Sequence, residues 1–545
     1  MNRNHARTSR PAPTKRPAAI LLGWTLLAAS GTSALAQFPP TIDLITLEPT
    51  GGFEIEGDVP TEGFGESVDP IGDINNDGID DLVIGAPELF GAMQPGRAYV
   101  VFGRDGGFPA FWQSDDLDGT NGFVIDGEEG DDLAGFSVSA AGDLNGDGLA
   151  DLVIGAAEAD PNGSSSGRAY VLFGSRSPFE PLVDLGRLDG TNGFAVSGEA
   201  AFDRAGGAVA GVGDFNGDGI DDLGIGATGL DLNGDQSGAV YVLFGSDRGW
   251  PGVVELADLD GRNGIVLVGA VAGDLAGRSV DGAGDVNGDG IDDLVLGADS
   301  ATPNGDPTRD GAGRGYLVFG TQRAFPDRRV DLDDFDGTAG VAFDGEDFED
   351  SAGRSAAGIG DVNNDGFDDF AFGAPFVDVG GNNAGRVYVV FGTDAPWPAS
   401  IELAGLGSTT GFLLDGVDPT GIAGFSVARA GDLDQDGIDD LVVGASGTGD
   451  NAGTAYVVFG STTPFPAPRS LGSLDGSNGF SLTGDDPGAF AGRSVAGGGD
   501  LDHDGIADLV IGAPALEGPD PTQPGSTYVI FGGDPGLLFR DGFEH

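Results

Sequence analysis

The sequence contains no cysteine and only three histidines, His5, His503 and His545. A disulfide framework, a thiol nucleophile and a cysteine-ligated zinc site are therefore excluded. None of the histidines is placed to serve a Ser-His-Asp triad, so we expect no catalysis of that type. Paired carboxylates are frequent, but in so acidic a chain we expect them on the solvated surface.

Positive charge is also scarce. The chain has 25 Lys and Arg residues against 88 Asp and Glu, which gives a formal net charge of -63. Nucleic acid and anionic membranes are excluded as expected partners, because both would be repelled by this charge. The composition suits a protein in a salty or calcium-containing medium.

Long apolar runs are nearly absent as well. One run, residues 18–29, follows a basic front and precedes the small-residue site Ala34-Leu35-Ala36. This arrangement predicts a secretory signal peptide over residues 1–36, with an uncleaved anchor as the alternative. No later stretch is apolar enough to span a bilayer. Export without disulfides indicates a secreted, periplasmic or cell-surface protein of the bacterial type.

What the sequence does contain is one acidic loop, repeated. Residues 73–81 place acidic or amide side chains at loop positions 1, 3, 5 and 9, with Gly78 at position 6. Six near-copies follow at intervals of roughly 70 residues, which indicates seven copies of one structural unit. An ordinary Asn-Gly or Asp-Gly hairpin turn would account for one copy but not for seven with the same acidic spacing.

Oxygen ligands at alternate positions of a tight loop suit a hard cation, and Ca²⁺ accepts more of them than Mg²⁺, the second choice. An EF-hand is excluded because position 12 is apolar in every copy, whereas that motif needs a bidentate Glu there. Position 8 is Asp in five copies but Ala150 and Ala507 in the others. We therefore expect position 8 to be a solvated carboxylate rather than a ligand.

The candidate ligands of about seven Ca²⁺ ions are the side chains at positions 1, 3, 5 and 9 and the main-chain carbonyl at position 7. Position 1 is Asp73, Asp143, Asp214, Asp285, Asp361, Asp432 and Asp500. Position 3 is Asn75, Asn145, Asn216, Asn287, Asn363, Asp434 and Asp502. Position 5 is Asp77, Asp147, Asp218, Asp289, Asp365, Asp436 and Asp504. Position 7 is Ile79, Leu149, Ile220, Ile291, Phe367, Ile438 and Ile506. Position 9 is Asp81, Asp151, Asp222, Asp293, Asp369, Asp440 and Asp508.

Each unit also contains four short β runs separated by turn residues. This pattern predicts an all-β fold, a seven-bladed β-propeller of four-stranded blades, with an open solenoid as the alternative. A further copy of the fourth run, residues 52–57, precedes the first loop, and the seventh unit ends after its third run. We expect this N-terminal strand to complete the last blade and close the ring.

The expected organisation is a signal peptide (1–36), a lead segment (37–41), the propeller (42–532) and a C-terminal tail (533–545). The blades are expected over about 58–127, 128–198, 199–269, 270–345, 346–416, 417–484, and 485–532 together with 42–57.

These residues resemble the FG-GAP repeats of integrin alpha-chain propellers. Phe64-Gly65 begins an "FG" run, and Gly85-Ala86-Pro87, Gly373-Ala374-Pro375 and Gly512-Ala513-Pro514 match "GAP". The resemblance covers residues 42–532 and implies a seven-bladed ring with Ca²⁺ in the loops joining the first and second strands. It departs from integrins in having a calcium loop in every unit and no visible inserted, leg or membrane-spanning domain.

Together these features predict a secreted, monomeric, calcium-binding propeller that binds an extracellular protein or glycan without catalysis. An extracellular hydrolase or lyase acting on polymers is one alternative, and a structural surface or matrix protein is another. Arginines recur just before the third run at Arg97, Arg168, Arg314 and Arg386. Their regular recurrence favours structural ion pairs over ligand contacts.

Overall fold

Within the described part of the chain, seven five-stranded sheets account for nearly all the regular structure. The structure, a computed structural model, describes residues 38–47, 50–60, 62–88, 94–323, 325, 327–379, 381–516 and 523–533. The expected signal peptide (1–36) and residues 534–545 of the expected tail lie outside the described residues. The sheets are the blades of a seven-bladed β-propeller, as the sequence predicts.

The first three strands of each sheet come from one repeat and pair antiparallel in chain order. The first strands are Ser67–Gly72, Ser137–Gly142, Ala205–Gly211, Ser279–Gly284, Ser355–Gly360, Ser426–Gly431 and Ser494–Gly499. The second strands are Asp81–Ala86, Asp151–Ala156, Leu223–Ala227, Asp293–Ala298, Asp369–Ala374, Asp440–Ala445 and Asp508–Ala513. The third strands are Arg97–Val101, Arg168–Leu172, Ala239–Leu243, Arg314–Val318, Arg386–Val390, Thr454–Val458 and Ser526–Ile530.

The fourth strand continues the antiparallel order. It is Gly122–Asp126, Gly193–Ser197, Gly264–Val268, Gly340–Asp344, Gly411–Asp415 and Gly479–Thr483 in the first six sheets and Gly52–Glu56 in the seventh.

A fifth, outermost strand extends every sheet beyond the four strands that the sequence predicts. It pairs parallel to the fourth strand and comes from the repeat that follows, between that repeat's third and fourth strands. These strands are two or three residues long, so they carry no periodicity that would reveal them. In order of sheet they are Leu182–Asp184, Val253–Glu255, Arg329–Asp331, Ser400–Glu402, Arg469–Ser470, Thr41–Asp43 and Phe111–Gln113.

The N-terminal residues take part in two sheets. Gly52–Glu56 pairs antiparallel with Ser526–Ile530 in the seventh sheet, while Thr41–Asp43 pairs parallel with Gly479–Thr483 in the sixth. The expected assignment of 42–57 to the seventh blade therefore places residues 42–43 in the wrong sheet, because the outer strand always belongs to the preceding blade. Phe38, in the expected lead segment, is buried and stacks on Phe480 at a centroid distance of 4.8 Å.

The apolar core is divided into seven clusters, each lying between two neighbouring sheets. The second strands are buried along their whole length because both of their faces meet a neighbour. A close backbone approach explains their recurring glycine: a Cβ on Gly85 would lie 2.1 Å from the carbonyl oxygen of Gly135 in the next repeat. Blade packing therefore selects glycine at this position.

In the residues that the structure describes, helical structure is limited to single turns, most of them directly after an outer strand. The 3₁₀ turns are Leu44–Thr46, Ser114–Asp116, Leu185–Arg187, Leu256–Asp258, Pro303–Gly305, Pro307–Arg309, Leu332–Asp334, Leu403–Gly405 and Leu471–Ser473, and the one α-helical turn is Thr448–Asn451. Among the described residues, no helix has the length and apolarity needed to cross a bilayer.

The antiparallel order places two sets of loops on opposite faces of the ring. The face bearing residues 73–81 and their six copies, together with the connections from third to fourth strands, is called the acidic-loop face. The face bearing the connections from second to third and from fourth to first strands, such as residues 157–167 and 198–204, is called the variable-loop face.

Truncation of Phe53 tests the pairing of the N-terminal strand with the seventh sheet. Phe53 is buried and stacks on Phe108 at 4.6 Å. We expect Phe53→Ala to lower the free energy of unfolding by about 3–5 kcal/mol, because it leaves a cavity in the core cluster between the seventh and first sheets. Urea unfolding measures the change. Phe202→Ala is the control, since Phe202 is 62% exposed, and equal unfolding curves for the two variants would contradict the pairing.

Candidate metal centres

The acidic loops join the first and second strands of every sheet and share one hydrogen-bond pattern. In the first repeat, the Asp73 carboxylate accepts from the N–H groups of Asp77 (3.0 Å) and Gly78 (2.8 Å). The Asp77 carboxylate accepts from the N–H of Ile79 at 3.1 Å. The same three bonds occur in all seven repeats. The loops are thus folded by their own acidic side chains.

Left-handed backbone conformations make this tight turn possible. Gly78, at position 6, has φ of +91°, which is favourable without a Cβ. Position 4 is also left-handed, and in the seventh repeat it is the exposed His503, with φ of +61°.

The position 9 carboxylate is the buried group of each loop. Asp81 is fully buried; its Oδ2 accepts from the N–H of Ile74 (3.1 Å) and its Oδ1 from the N–H of Gly103 (2.9 Å), just after the third strand. The bond from the glycine after the third strand is present in all seven repeats. Position 9 therefore ties the loop to the third strand of its own blade.

Burial raises the pKa of Asp81 to about 8, and the nearby charges of Asp77 and Asp73 act in the same direction. Burial likewise raises the pKa of the corresponding Asp222 and Asp293 to about 8. These carboxylates thus lie close together, and among the described residues no position 9 carboxylate forms an ion pair with a positive side chain. A divalent cation would supply that charge, and the donor atoms, which are all oxygens, suit Ca²⁺.

In two repeats, position 3 is Asp and adds a third carboxylate to those at positions 1 and 5. The carboxylates of Asp432, Asp434 and Asp436 lie within 4.8 Å of one another, as do those at the same positions of the seventh repeat, Asp500, Asp502 and Asp504. Asp440, at position 9, lies outside this group of three. Burial raises its pKa to about 8, and the charges of Asp434 and Asp432 act in the same direction.

In the other five repeats position 3 is Asn, whose amide nitrogen donates to the position 9 carboxylate, as from Asn145 to Asp151 at 3.2 Å. The amide oxygen then remains available as a ligand. The position 7 residues donate their N–H groups to the position 5 carboxylates. The main-chain carbonyls of the position 7 residues remain predicted ligands of the cation.

The position 8 carboxylates, expected to be solvated, are instead partly buried, which corrects that prediction. Asp221 is half-buried and accepts a hydrogen bond from the N–H of Asp143, in the preceding repeat, at 2.7 Å. The sequence could not reveal this contact because it joins two blades.

Two further acidic residues were missed by the sequence analysis. Asp69 and Asp281 lie on first strands and accept hydrogen bonds from the first strand of the next blade. Asp69 accepts from the Ser139 hydroxyl (2.8 Å) and Asp281 from the N–H of Gly358 (3.2 Å). Burial raises the pKa of Asp69 to about 6 and that of Asp281 to about 8.

The arginines before the third strands form ion pairs, as predicted. Arg97 pairs with Asp126 at 2.8 Å and Arg314 with Asp344 at 2.6 Å, in each case across to the end of the fourth strand. Arg168 pairs with Glu128.

On the variable-loop face, a cavity of about 840 Å³ opens between residues 346–351 and 376–379. Phe348 and Phe376 are partly exposed at its wall, 54% and 36% respectively. Four carboxylates from the same segment also line it: Glu346, Asp347, Glu349 and Asp350. The cavity is thus both apolar and acidic.

A family model described as FG-GAP repeat matches seven segments of the chain, residues 64–101, 134–172, 205–243, 276–318, 352–390, 423–458 and 491–530. The chain belongs to the FG-GAP repeat family. Each matched segment runs from Phe64-Gly65, or the Ala-Gly pair at the corresponding place, through the acidic loop to the third strand. The FG-GAP repeat thus coincides with the first three strands of one blade.

Curated relatives of this FG-GAP protein include integrin alpha-5 of Xenopus laevis, 34% identical over 31% of this chain and 15% of the relative. Integrin alpha pat-2 of Caenorhabditis elegans is 31% identical over 44% of this chain and 18% of its own length. Phosphatidylinositol-glycan-specific phospholipase D of Rattus norvegicus is 33% identical over 32% of this chain and 20% of its own length. The matches thus span a fifth or less of the relatives' own length.

Position 9 and position 5 differ in burial, and this difference is testable without metal. In chelator, Asp222→Ala leaves the N–H groups of Asn216 and Gly245 without their acceptor, whereas Asp218 is exposed. We expect Asp222→Ala to lower the free energy of unfolding by about 3 kcal/mol and Asp218→Ala to change it little. Urea unfolding in chelator measures both. Equal losses would show that position 9 has no separate structural role.

Proposed function

We propose that this chain is an exported, calcium-binding FG-GAP propeller that serves as a protein-interaction module. The observation that carries the proposal is the set of seven acidic loops, folded alike on one face of the ring. They provide a rigid base, while the loops of the other face differ from repeat to repeat. Binding sites commonly lie on variable loops held by a rigid scaffold.

Calcium is the cation that the loops suit best. Positions 1, 3, 5 and 9 supply side-chain oxygens and position 7 a carbonyl, a number of oxygen donors that Ca²⁺ accepts more readily than Mg²⁺. Resemblance to integrin alpha chains supports this choice, since propellers of that kind commonly bind divalent cations. Seven loops with the same donors correspond to about seven ions per chain.

The acidic cavity on the variable-loop face is the proposed binding site. Phe348 and Phe376 offer apolar surface, and Arg386, which also lines the cavity, is already paired with Glu346 and Asp415 at 2.7 Å each. The surrounding carboxylates are therefore in excess. The chemistry favours a protein partner that presents basic residues beside apolar ones, and a glycan is the alternative that the test below distinguishes.

An extracellular location accords with this function. The integrin names of two relatives, the net charge of -63 and the basic and apolar pattern of residues 1–36 support export. The likeness to a phospholipase D covers a fifth of that enzyme, so it transfers no activity to this chain. No particular group of residues here favours a hydrolase or lyase over a binding module.

Removal of calcium tests the metal sites. We expect chelation to lower the melting temperature strongly, because an ion bound only to the folded state stabilises it, by about 2.7 kcal/mol per site at a hundredfold excess over Kd. Differential scanning calorimetry with and without EDTA measures the shift, and ion counting should find about seven Ca²⁺ per chain. Asp293→Ala should remove one ion and leave the rest. An unchanged melt after exhaustive chelation would contradict the proposal.

A binding screen tests the interaction site. The immobilised protein would be presented with extracellular proteins and a glycan array, and each hit measured again with Phe348→Ala/Phe376→Ala. We expect protein hits whose affinity falls at least tenfold in this variant and weakens with salt, because the site combines apolar and charged contacts. Phe202→Ala, which removes an exposed phenylalanine elsewhere on the same face, is the matched control. Hits among glycans alone, or none, would refute a protein partner.

A further inference from the structure

The acidic loops are linked to one another around the ring by a hydrogen bond that crosses each blade boundary. The N–H of position 1 donates to the position 8 carboxylate of the following repeat. This bond is present at five boundaries: Asp143 to Asp221 (2.7 Å), Asp214 to Asp292 (2.8 Å), Asp285 to Asp368 (2.9 Å), Asp361 to Asp439 (3.1 Å) and Asp500 to Asp80 (3.0 Å). Every such bond runs from one repeat to the next in the same direction around the ring.

A glycine before each loop makes room for the neighbour's carboxylate. Gly213, which precedes position 1 of the third repeat, has φ of +65°, and a Cβ there would lie 2.2 Å from the Oδ2 of Asp292. The carboxylate is therefore packed directly against the backbone that enters the loop. A Cβ on Gly142, Gly284 or Gly360 would likewise come too close to the position 8 carboxylate of the following repeat.

A second bond joins the same two repeats. The carbonyl at position 2 accepts from the N–H that follows the third strand of the next repeat, as Leu144 does from Ser246 at 2.9 Å. This bond is found at six boundaries, with Ile74, Leu144, Phe215, Val286, Val362 and Leu501 as acceptors. Positions 1 and 2 of a loop are thus both held by the following blade.

Two boundaries lack the carboxylate. Ala150 and Ala507 stand at position 8 of the second and seventh repeats, so the loops of the first and sixth repeats meet a methyl group there. Both alanines occupy the place of the carboxylate: a Cβ on Gly72 would lie 3.2 Å from that of Ala150, and one on Gly431 would lie 2.5 Å from that of Ala507. The linked loops therefore form one series through repeats 2–6 and a second through repeats 7 and 1.

We infer that the position 8 carboxylates are positioning groups that couple neighbouring cation sites. This inference rests on the proposed binding of calcium to the loops. Position 8 is adjacent in sequence to position 9, so an ion that orders one loop also fixes the carboxylate that holds position 1 of the preceding loop. Because coupling between sites is reciprocal, each ion in a linked series favours the next.

The coupling predicts which of the seven loops bind calcium more tightly than others. The first loop binds calcium more weakly than loops 2–5, which share its Asn at position 3. The sixth loop binds more weakly than the seventh, which shares its Asp at position 3. A hydrogen bond to a charged group commonly changes an equilibrium by about tenfold or more, which sets the expected difference.

Amide hydrogen exchange tests the link without metal, in chelator. Asp292→Ala should speed exchange about tenfold in residues 213–222 of the preceding repeat and change little in its own loop, residues 285–293. Asp292→Asn should preserve protection, because the amide oxygen still accepts the bond. Ala150→Asp should slow exchange in residues 72–81. The exposed Asp327→Ala is the control for lost charge, and the natural alanines show that the fold tolerates Ala at position 8.

Calcium titration by calorimetry then tests the coupling. We expect Asp292→Ala to weaken one site about tenfold and Ala150→Asp to strengthen one by a similar factor, with the ion count unchanged. If Asp292→Ala speeds amide exchange equally in residues 213–222 and 285–293, or only in residues 285–293, the proposed link between the two loops is overturned. Site affinities unaffected by either variant would overturn the coupling alone, whereas an isotherm without binding would overturn the proposed calcium sites together with it.

Discussion

In every repeat, the buried carboxylate at position 9 accepts hydrogen bonds from the loop before it and from the glycine that ends the third strand. Asp81 shows the arrangement, with Ile74 on one side and Gly103 on the other. This interaction fixes where the loop begins and how far the second strand extends. The placement of the cation ligands depends on this interaction. The close approach of neighbouring blades and the placement of the loops on the opposite face depend on it as well. A buried charge of this kind is costly unless it is both hydrogen-bonded and balanced, which links the stability of the blade to the ion.

Each blade interacts mainly with the two blades beside it, since every core cluster lies between two adjacent sheets. Stability in such an array is a sum of blade and boundary contributions, and the closed ring leaves no blade without a neighbour. The short outer strand strengthens this arrangement, because it carries the main chain of one repeat onto the sheet of the previous one. Cohesion is therefore distributed around the ring rather than concentrated in a single core.

Much of the fold could be predicted because it repeats. Seven loops with Asp at position 9, and runs such as Asp81–Ala86 after them, indicated the number of blades and the order of the first strands. What could not be predicted depends on contacts between repeats. Leu182–Asp184 is too short to show periodicity, and nothing in its composition says that it joins the previous blade. For the same reason Asp221 was taken as solvated, and Asp69, on a strand of small residues, was missed.

Two strands near the start of the described chain, Thr41–Asp43 and Gly52–Glu56, find their partners in the sixth and seventh repeats. Circular closure therefore needs those two repeats, and without them both strands would present unpaired backbone groups. A variant lacking the last repeats would retain most of its blades yet have two adhesive edges. The topology thus makes closure of the ring depend on the presence of all seven repeats.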